Sequence, residues 1–406
     1  MQHMRNIDEK SRHLGEEARQ MGNRVAIIGV GMSKFGELWD QNLKDFTLEA
    51  GMYAIFDAGV PGSDIDGMVV GNMSAGRFTG QEHLGALAVD QGGLGDIPAY
   101  SVEAACASGG AAVRQAYMAI KSGEHNVMLV LGSEKMSDVN QTEAMNTISV
   151  ASDWEWEGMF GATFPALYAL MARRHIHEYG TTEEQLALPT VKNHANAAHN
   201  PWAQFQSPVP IEVVMKSGLL ADPLRVLHSA PVTDGAAGLV MCSEDFAKKY
   251  TDTPVFIEAS DQRSDTLALH DRKSITTMNA VVTSTKGALM EASLEIKDID
   301  VFELHDSFSI GEIILTEDVG IAKKGEGGKA LEEGITEIGG KFPVNTSGGL
   351  KARGHPVGAT GVAQIVELAL QLRGDAEKRQ IDGAEKALAV NIGGTGATSI
   401  VHILGR

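Results

Sequence analysis

Tyr100-Ser-Val-Glu-Ala-Ala-Cys106 reads as a short strand ending on a cysteine, and a helix of about 108–122 starts just after it. Val113, Ala116, Tyr117 and Ile120 give that helix an apolar stripe, and Asn126-Val-Met-Leu-Val-Leu-Gly132 follows as a buried strand. Strand, helix and strand in turn form the unit of an α/β fold. The alternation extends in both directions. Upstream lie a strand, Arg24-Val-Ala-Ile-Ile-Gly-Val30, a helical stretch over 43–58, and a strand, Met68-Val-Val-Gly-Asn72. Downstream come Gly235-Ala-Ala-Gly-Leu-Val-Met-Cys242, Pro254-Val-Phe-Ile-Glu-Ala259 and Ile299-Asp-Val-Phe-Glu-Leu-His305. A helix after Ser307, another over 360–373, and the strands Ala387-Leu-Ala-Val-Asn391 and Ser399-Ile-Val-His-Ile-Leu404 complete the series.

The 406 residues exceed one ordinary domain, so two similar halves are expected, over 24–252 and 253–406. Residues of about 139–228 break the alternation. They are polar and proline-containing, carry Trp154, Trp156 and Trp202, and read as a loop domain inserted in the first half to shape a substrate pocket. Residues 1–23 have mixed charges and no apolar core, which predicts a polar extension, helical or frayed, and not a signal peptide.

Composition excludes several classes. The net charge of −19 argues against nonspecific binding to nucleic acid or anionic membrane. No apolar run reaches the roughly 18 residues of a transmembrane helix. The only cysteines are Cys106 and Cys242, so no disulfide framework is expected and a reducing cytoplasm is the simpler compartment. The 46 glycines cluster near His, Ser and Asn, marking tight turns or close approach of backbone to a ligand.

Four segments carry candidate chemistry. Cys106 sits where a strand gives way to a helix, whose N-terminus lowers a thiol's pKa and favours the thiolate. The bland alternative is a buried structural cysteine. His355 lies in Gly348-Gly-Leu-Lys-Ala-Arg-Gly-His-Pro-Val-Gly-Ala-Thr-Gly361, where Pro356 and flanking glycines hold one imidazole rigidly. His305 ends a strand and suits a donor to a developing oxyanion, or a strand-end residue with Asp306 and Ser307 capping the next helix. Asn391-Ile-Gly-Gly-Thr-Gly396 presents backbone N–H groups to a charged oxygen, or is an ordinary turn. Gly29-Val-Gly31 and Gly394-Thr-Gly396 lack the third glycine of a dinucleotide loop, with Lys34 and Ser399 in its place. His175 with His177, and His194 with His199, lack metal-site spacing with an acidic or thiol partner, so no metal is expected. Cys242 ends an apolar run and reads as core.

Taken together and in this order, the segments resemble the thiolase superfamily over essentially residues 24–406, closest to its sterol-carrier-protein-type and archaeal acetyl-CoA acetyltransferase branches. Asn193 to Ala203 and Asp234-Gly-Ala-Ala237 also look like family segments. The resemblance implies a five-layered α/β/α/β/α thiolase fold, a homodimer or homotetramer, coenzyme A thioesters as substrates, and no cofactor beyond them. It implies Cys106 as nucleophile, His355 as its base, His305 in one oxyanion hole, and the backbone N–H groups of Cys106 and Gly393 as the other. The implied reaction is a Claisen condensation of two acetyl-CoA to acetoacetyl-CoA, or its reverse. A degradative 3-ketoacyl-CoA thiolase, a carbon-acyltransferase with another acceptor, and a structural subunit of a multienzyme complex are the alternatives. The archaeal branch adds, as implied partners, a small acyl-CoA-binding protein and a hydroxymethylglutaryl-CoA synthase.

One departure stands out. The family's second catalytic cysteine falls at Asn391, and the position to which the sterol-carrier branch moves it is Ser307. A lone serine hydroxyl is too weak an acid to trade protons as a thiol does, so the resemblance leaves that task to His305 or His355, or to a different second step.

Overall fold

The computed structural model describes residues 24–406; the polar segment 1–23 lies outside them. The chain opens with β1, Val25–Met32, buried along its whole length. Helix α1, Leu43–Ala58, starts at an Asn42–Asp45 capping box and stops at Gly59, which adopts φ 63°. After β2, Gly67–Gly71, and α2, Leu84–Gly92, comes β3, Ala99–Val102. Helix α3, Ser108–Lys121, and β4, Val127–Glu134, follow.

The long excursion between β4 and β7, Gly235–Ser243, is mainly helical. It contains α4, Gln141–Ser149; α5, Phe164–Tyr179; α6, Glu183–Ala197; and α7, Ile211–Lys216. A small hairpin of β5, Leu219–Ala221, and β6, Leu224–Arg225, completes it.

The second half runs β8, Val255–Ser264; α8, Asn279–Ala292; β9, Val301–Glu303; α9, Ser309–Val319; and α10, Gly327–Glu332. Helix α11, Thr360–Arg373, precedes the final hairpin of β10, Lys386–Gly393, and β11, Thr398–Gly405.

Strand order shows that the halves repeat one topology. The first half reads β3-β2-β4-β7-β1 and the second β9-β10-β11-β8 in mirrored listing. Val344 pairs in parallel with Phe302 of β9, so residues 343–345 supply the second half's missing edge, as β3 does for β2. Parallel and antiparallel pairings then correspond one to one. β2–β4 matches β9–β10, β4–β7 matches β10–β11, and β7–β1 matches β11–β8.

The two sheets are hydrogen-bonded into one through three β1–β8 pairs, Val25–Ile257, Ala26–Phe256 and Ile27–Val255. Helices α3 and α11 fill the space between them, and residues of both sheets share one core with these helices. Helix α1 covers the outer face of the first sheet, and α8 and α9 that of the second. This is the five-layered α/β/α/β/α arrangement expected. The two glycines of Gly29-Val-Gly31 serve packing: a Cβ on either would stand 2.2–2.3 Å from a carbonyl oxygen of α1.

Candidate active site

The two central helices begin at the same place. A Cβ at Gly109, in the first turn of α3, would lie 2.8 Å from Gly358 O and Gly361 N, so only glycine allows the start of α11 this close. Cys106 precedes one helix and His355 the other. His305 arrives at the end of β9, and Asn391 to Gly394 at the end of β10. One ligand atom each of Cys106, His305 and His355 fall within 4.8 Å of one another, all three residues buried. These donors are also close enough together to hold a metal ion, a trio that sequence spacing did not reveal because its members come from three elements.

The turn carrying Cys106 is held locally. Ala105 sits at φ 53°, Ser108 Oγ accepts Ala104 N–H at 2.9 Å, and the same hydroxyl donates to Ala105 O at 2.6 Å. The N–H groups of Gly394 and of Cys106 itself reach the sulfur and favour its thiolate. Burial outweighs them, with the charges of Glu134 and Glu103 adding to it, and the thiol is pushed up to about 12. The helix N-terminus therefore does not deliver the lowered pKa that the sequence suggests, because desolvation of the thiolate is the larger effect. The backbone donor on the sulfur, Gly394, adjoins Gly393, which closes the β10–β11 pairing opposite Thr398.

His355 is oriented by Thr360. Thr360 Oγ1 donates to Pro356 O at 3.0 Å and so accepts from His355 Nδ1, 2.6 Å away. The proton is on Nδ1, and Nε2 keeps a lone pair. Burial, with Arg353 adding to it, lowers the imidazole to about 3. At neutral pH the pair is thus a neutral thiol and a neutral imidazole, not an ion pair. The loop is tied to its surroundings through His355 N–H, which donates to Thr233 Oγ1 at 3.0 Å.

His305 stands edge-on to His355, with ring centroids 5.0 Å apart. Burial, then the neighbouring His355 and Arg353, lowers it well below the ordinary histidine range. Its Nδ1 lies 3.0 Å from Asn391 Nδ2 and accepts Ile392 N–H at 3.5 Å, whereas Nε2 is buried without a partner among the described residues.

Asp306 and Ser307 do not cap α9, whose N-cap position is Phe308 and carries no side-chain cap. Asp306 instead accepts Leu350 N–H at 2.7 Å, Lys351 N–H at 3.2 Å and Asn193 Nδ2 at 2.6 Å, tying the His305 segment to the His355 loop. Gly349, at φ 58°, permits this: its Cβ would lie 2.5 Å from an Asp306 oxygen. Ser307 hydrogen-bonds toward the phenol of Tyr168, which donates to Gly394 O at 3.1 Å and stacks on Phe308.

These groups face a cleft of ≈ 610 Å³ in which Cys106, His355, Ser307 and Gly394 meet apolar walls from Met145 and Phe164. Thr360 and Tyr168 belong to this site and were not singled out in the sequence. Thr360, five residues after a fixed histidine and at a helix start, had a local signal; Tyr168, on the inserted α5, had none. The other sequence candidates lie elsewhere. His175 bonds Thr181 and Glu317, His194 lies against Ser207 O, and Cys242 is core beneath α1. No helix among the described residues is long and apolar enough to cross a membrane.

Comparison with known proteins agrees with this geometry. Residues 25–245 match the family described as "Thiolase, N-terminal domain", and residues 261–406 match "Thiolase C-terminal domain-like". An acetyl-CoA acetyltransferase of Methanothermobacter thermautotrophicus is 55% identical over 382 residues, 94% of this chain and 99% of that protein. Sterol carrier protein 2 of Bos taurus is 37% identical, covering 93% of this chain and 72% of its own length. Among solved structures, the Ltp2-ChsH2(DUF35) aldolase superposes with a TM-score of 0.82 at 26% identity, covering 95% of this chain and 98% of that one. Both halves match and these relatives span the chain nearly end to end, so the chain belongs to the thiolase family of acyltransferases.

Proposed function

We propose that the protein is an acetyl-CoA C-acetyltransferase that joins two acetyl-CoA molecules into acetoacetyl-CoA and free coenzyme A, or runs the reverse. The observation that carries this reading is a buried thiol beside a neutral imidazole with a free lone pair, at the end of one cleft. The name of the 55% identical relative supports acetyl-CoA as the substrate.

In this reading His355 Nε2 takes the Cys106 proton as sulfur attacks the thioester carbonyl. The bond from that carbonyl to the coenzyme A sulfur breaks, and coenzyme A leaves with the proton. Splitting the transfer through an acyl-enzyme makes each half easier. A second acetyl-CoA then binds, and His355, free again, takes a proton from its methyl carbon. The carbanion attacks the acyl carbonyl, the bond to Cys106 breaks, and the sulfur recovers the proton. His305 donates to the enolate oxygen. The Cys106 N–H and the turn at Gly393 and Gly394 hold the acyl oxygen; the position of the Gly394 N–H against the sulfur supports that turn as the second donor.

Single-turnover kinetics test the division of labour, with coenzyme A release reporting acylation and acetoacetyl-CoA reporting condensation. His305→Ala should acylate normally and lose roughly 10²–10³-fold in condensation, the effect of removing one oxyanion donor. Equal losses in both steps would contradict the assignment. Ser307→Ala should keep most activity and Ser307→Cys should do no harm, since a lone serine hydroxyl is too weak an acid to trade protons as a thiol does. Condensation abolished in Ser307→Ala with acylation intact would make the serine the proton carrier.

A second reading, a degradative thiolase for longer chains, draws support from the apolar wall that Met136, Met145, Ile148 and Phe164 form beyond Cys106. Cleavage rates on acetoacetyl-CoA and on a longer 3-ketoacyl-CoA separate the two.

The reading includes an oligomer. Strand β3 is a sheet edge with Tyr100 and Ser101 exposed, directly before the nucleophile's turn, and an unpaired edge is a template for another strand. We expect at least a homodimer, the homotetramer being the larger form; light scattering that gives 43.1 kDa, one chain, would contradict this. A small acyl-CoA-binding partner also fits, since the aldolase that superposes on this chain is named for two components, Ltp2 and ChsH2. Two free thiols, Cys106 and Cys242, suit a reducing cytoplasm.

A further inference from the structure

Asn391 occupies the position where the resemblance expects a second catalytic cysteine, and its side-chain amide is fully engaged. Its Oδ1 accepts the backbone N–H of Gly110 at 3.0 Å. A backbone N–H only donates, so that contact fixes which end of the amide is oxygen. Nδ2 then has two acceptors to satisfy: Cys106 O at 3.2 Å and His305 Nδ1 at 3.0 Å. An amide NH₂ only donates, so His305 Nδ1 must accept. Ile392 N–H, 3.5 Å from the same nitrogen, requires the same. A neutral imidazole carries one proton, and here Nε2 is left to hold it.

We infer that Asn391 is a positioning residue that fixes His305 as an Nε2–H donor, so that this histidine gives a hydrogen bond to substrate oxygen and cannot serve as a base. The inference rests on the proposed role of His305 and adds the cause of that role. It also divides the proton work between two histidines with opposite tautomers. Thr360 puts the proton of His355 on Nδ1 and leaves Nε2 bare; Asn391 puts the proton of His305 on Nε2 and leaves Nδ1 bare. The missing thiol is thereby explained. A cysteine at 391 both donates and accepts weakly and would not select one tautomer, whereas an amide anchored on Gly110 does. His305 Nε2 has no acceptor among the described residues. A buried N–H without an acceptor is costly, and an enolate oxygen relieves that cost where a protein group does not. Glycines make room for this amide: a Cβ on Gly361 would lie 2.3 Å from Asn391 Oδ1, and one on Gly110 would lie 2.9 Å from it.

The test is nitrogen NMR of the unmodified enzyme carrying ¹⁵N-labelled histidine, with His305→Gln to assign the signals. Protonated and bare ring nitrogens have distinct shifts. The expected result at neutral pH is a protonated Nε2 and a bare Nδ1 on His305; a protonated Nδ1 overturns the inference, and this result needs no variant of Asn391 to fold. The second arm compares Asn391→Asp with Asn391→Ala. A carboxylate accepts from Nδ1 and moves the proton there, so the Asp variant should show the opposite tautomer. It should also lose roughly 10²–10³-fold in condensation relative to acylation, the effect of one missing oxyanion donor. Asn391→Ala should lose less, because Ile392 N–H still donates to Nδ1. If the Ala variant is the slower of the two, Asn391 acts by packing and the inference fails. If His305→Ala condenses at the normal rate, the oxyanion role of His305 fails while the tautomer result stands by itself.

Discussion

A Cys106→Ala protein should form no acyl-enzyme, release no coenzyme A from acetyl-CoA, and lose turnover by roughly 10⁴–10⁶-fold, the range for removing a covalent nucleophile from a working unit. Cys106 is the thiol that lines the cleft. Cys242 is fully buried in β7 beneath α1 and cannot substitute for it. The fold should survive, since the turn before α3 is held by Ser108 and backbone rather than by the thiol. A stopped-flow assay for free coenzyme A, with a melting curve on the same sample, checks both parts. Full thiolase activity in this protein would remove the nucleophile from the account.

His355→Ala should come next in severity and stop the reaction at its first step. The thiol is held at about 12, so without a base the thiolate is on the order of 10⁻⁵ of the enzyme at pH 7. Acylation should fall by roughly 10²–10⁴-fold, the contribution of a positioned general base, with the overall fold intact. The pH profile of the wild-type protein follows from the same geometry. His355 is lowered to about 3, so its neutral, proton-accepting form persists well below the ordinary histidine value. The rate of coenzyme A release should therefore be flat from about pH 8 down to about pH 5, with no loss centred near 6.5. A fall in acylation as pH drops through 6.5 would mean that His355 is not the base, or is not desolvated as described. Thr360 offers a partial version of the experiment, because Thr360→Val leaves the imidazole in place and removes the acceptor of its Nδ1 proton.

Much of the fold was legible because buried strands and amphipathic helices leave a local signature. The stripe Val113, Ala116, Tyr117 and Ile120 predicts α3, and the glycine-rich frame of His355 marks a rigid loop. The repeat of the two halves was harder to see. It lies in pairing order rather than in residue identity, and one of its edges is only residues 343–345. The inserted segment looked like an irregular excursion because its polar residues and prolines mask its helices, Pro189 lying inside α6. At the site, residue types were readable and proton positions were not. The amide of Asn391 is set by Gly110, 281 residues away in the chain. The thiol's direction of shift depends on burial that only the assembled layers create. Asp306 looked like a helix cap because capping is a local rule; its actual partners, Leu350, Lys351 and Asn193, come from two distant elements.

Every step of the proposed reaction passes through an acyl group on Cys106. Intact-mass and peptide mass spectrometry after brief mixing with acetyl-CoA and acid quenching tests it most directly. One acetyl group per chain is expected, located on the peptide containing Cys106, present in His305→Ala and absent in His355→Ala. An acetyl group on Cys242, or an unmodified chain that nevertheless makes acetoacetyl-CoA, would contradict it.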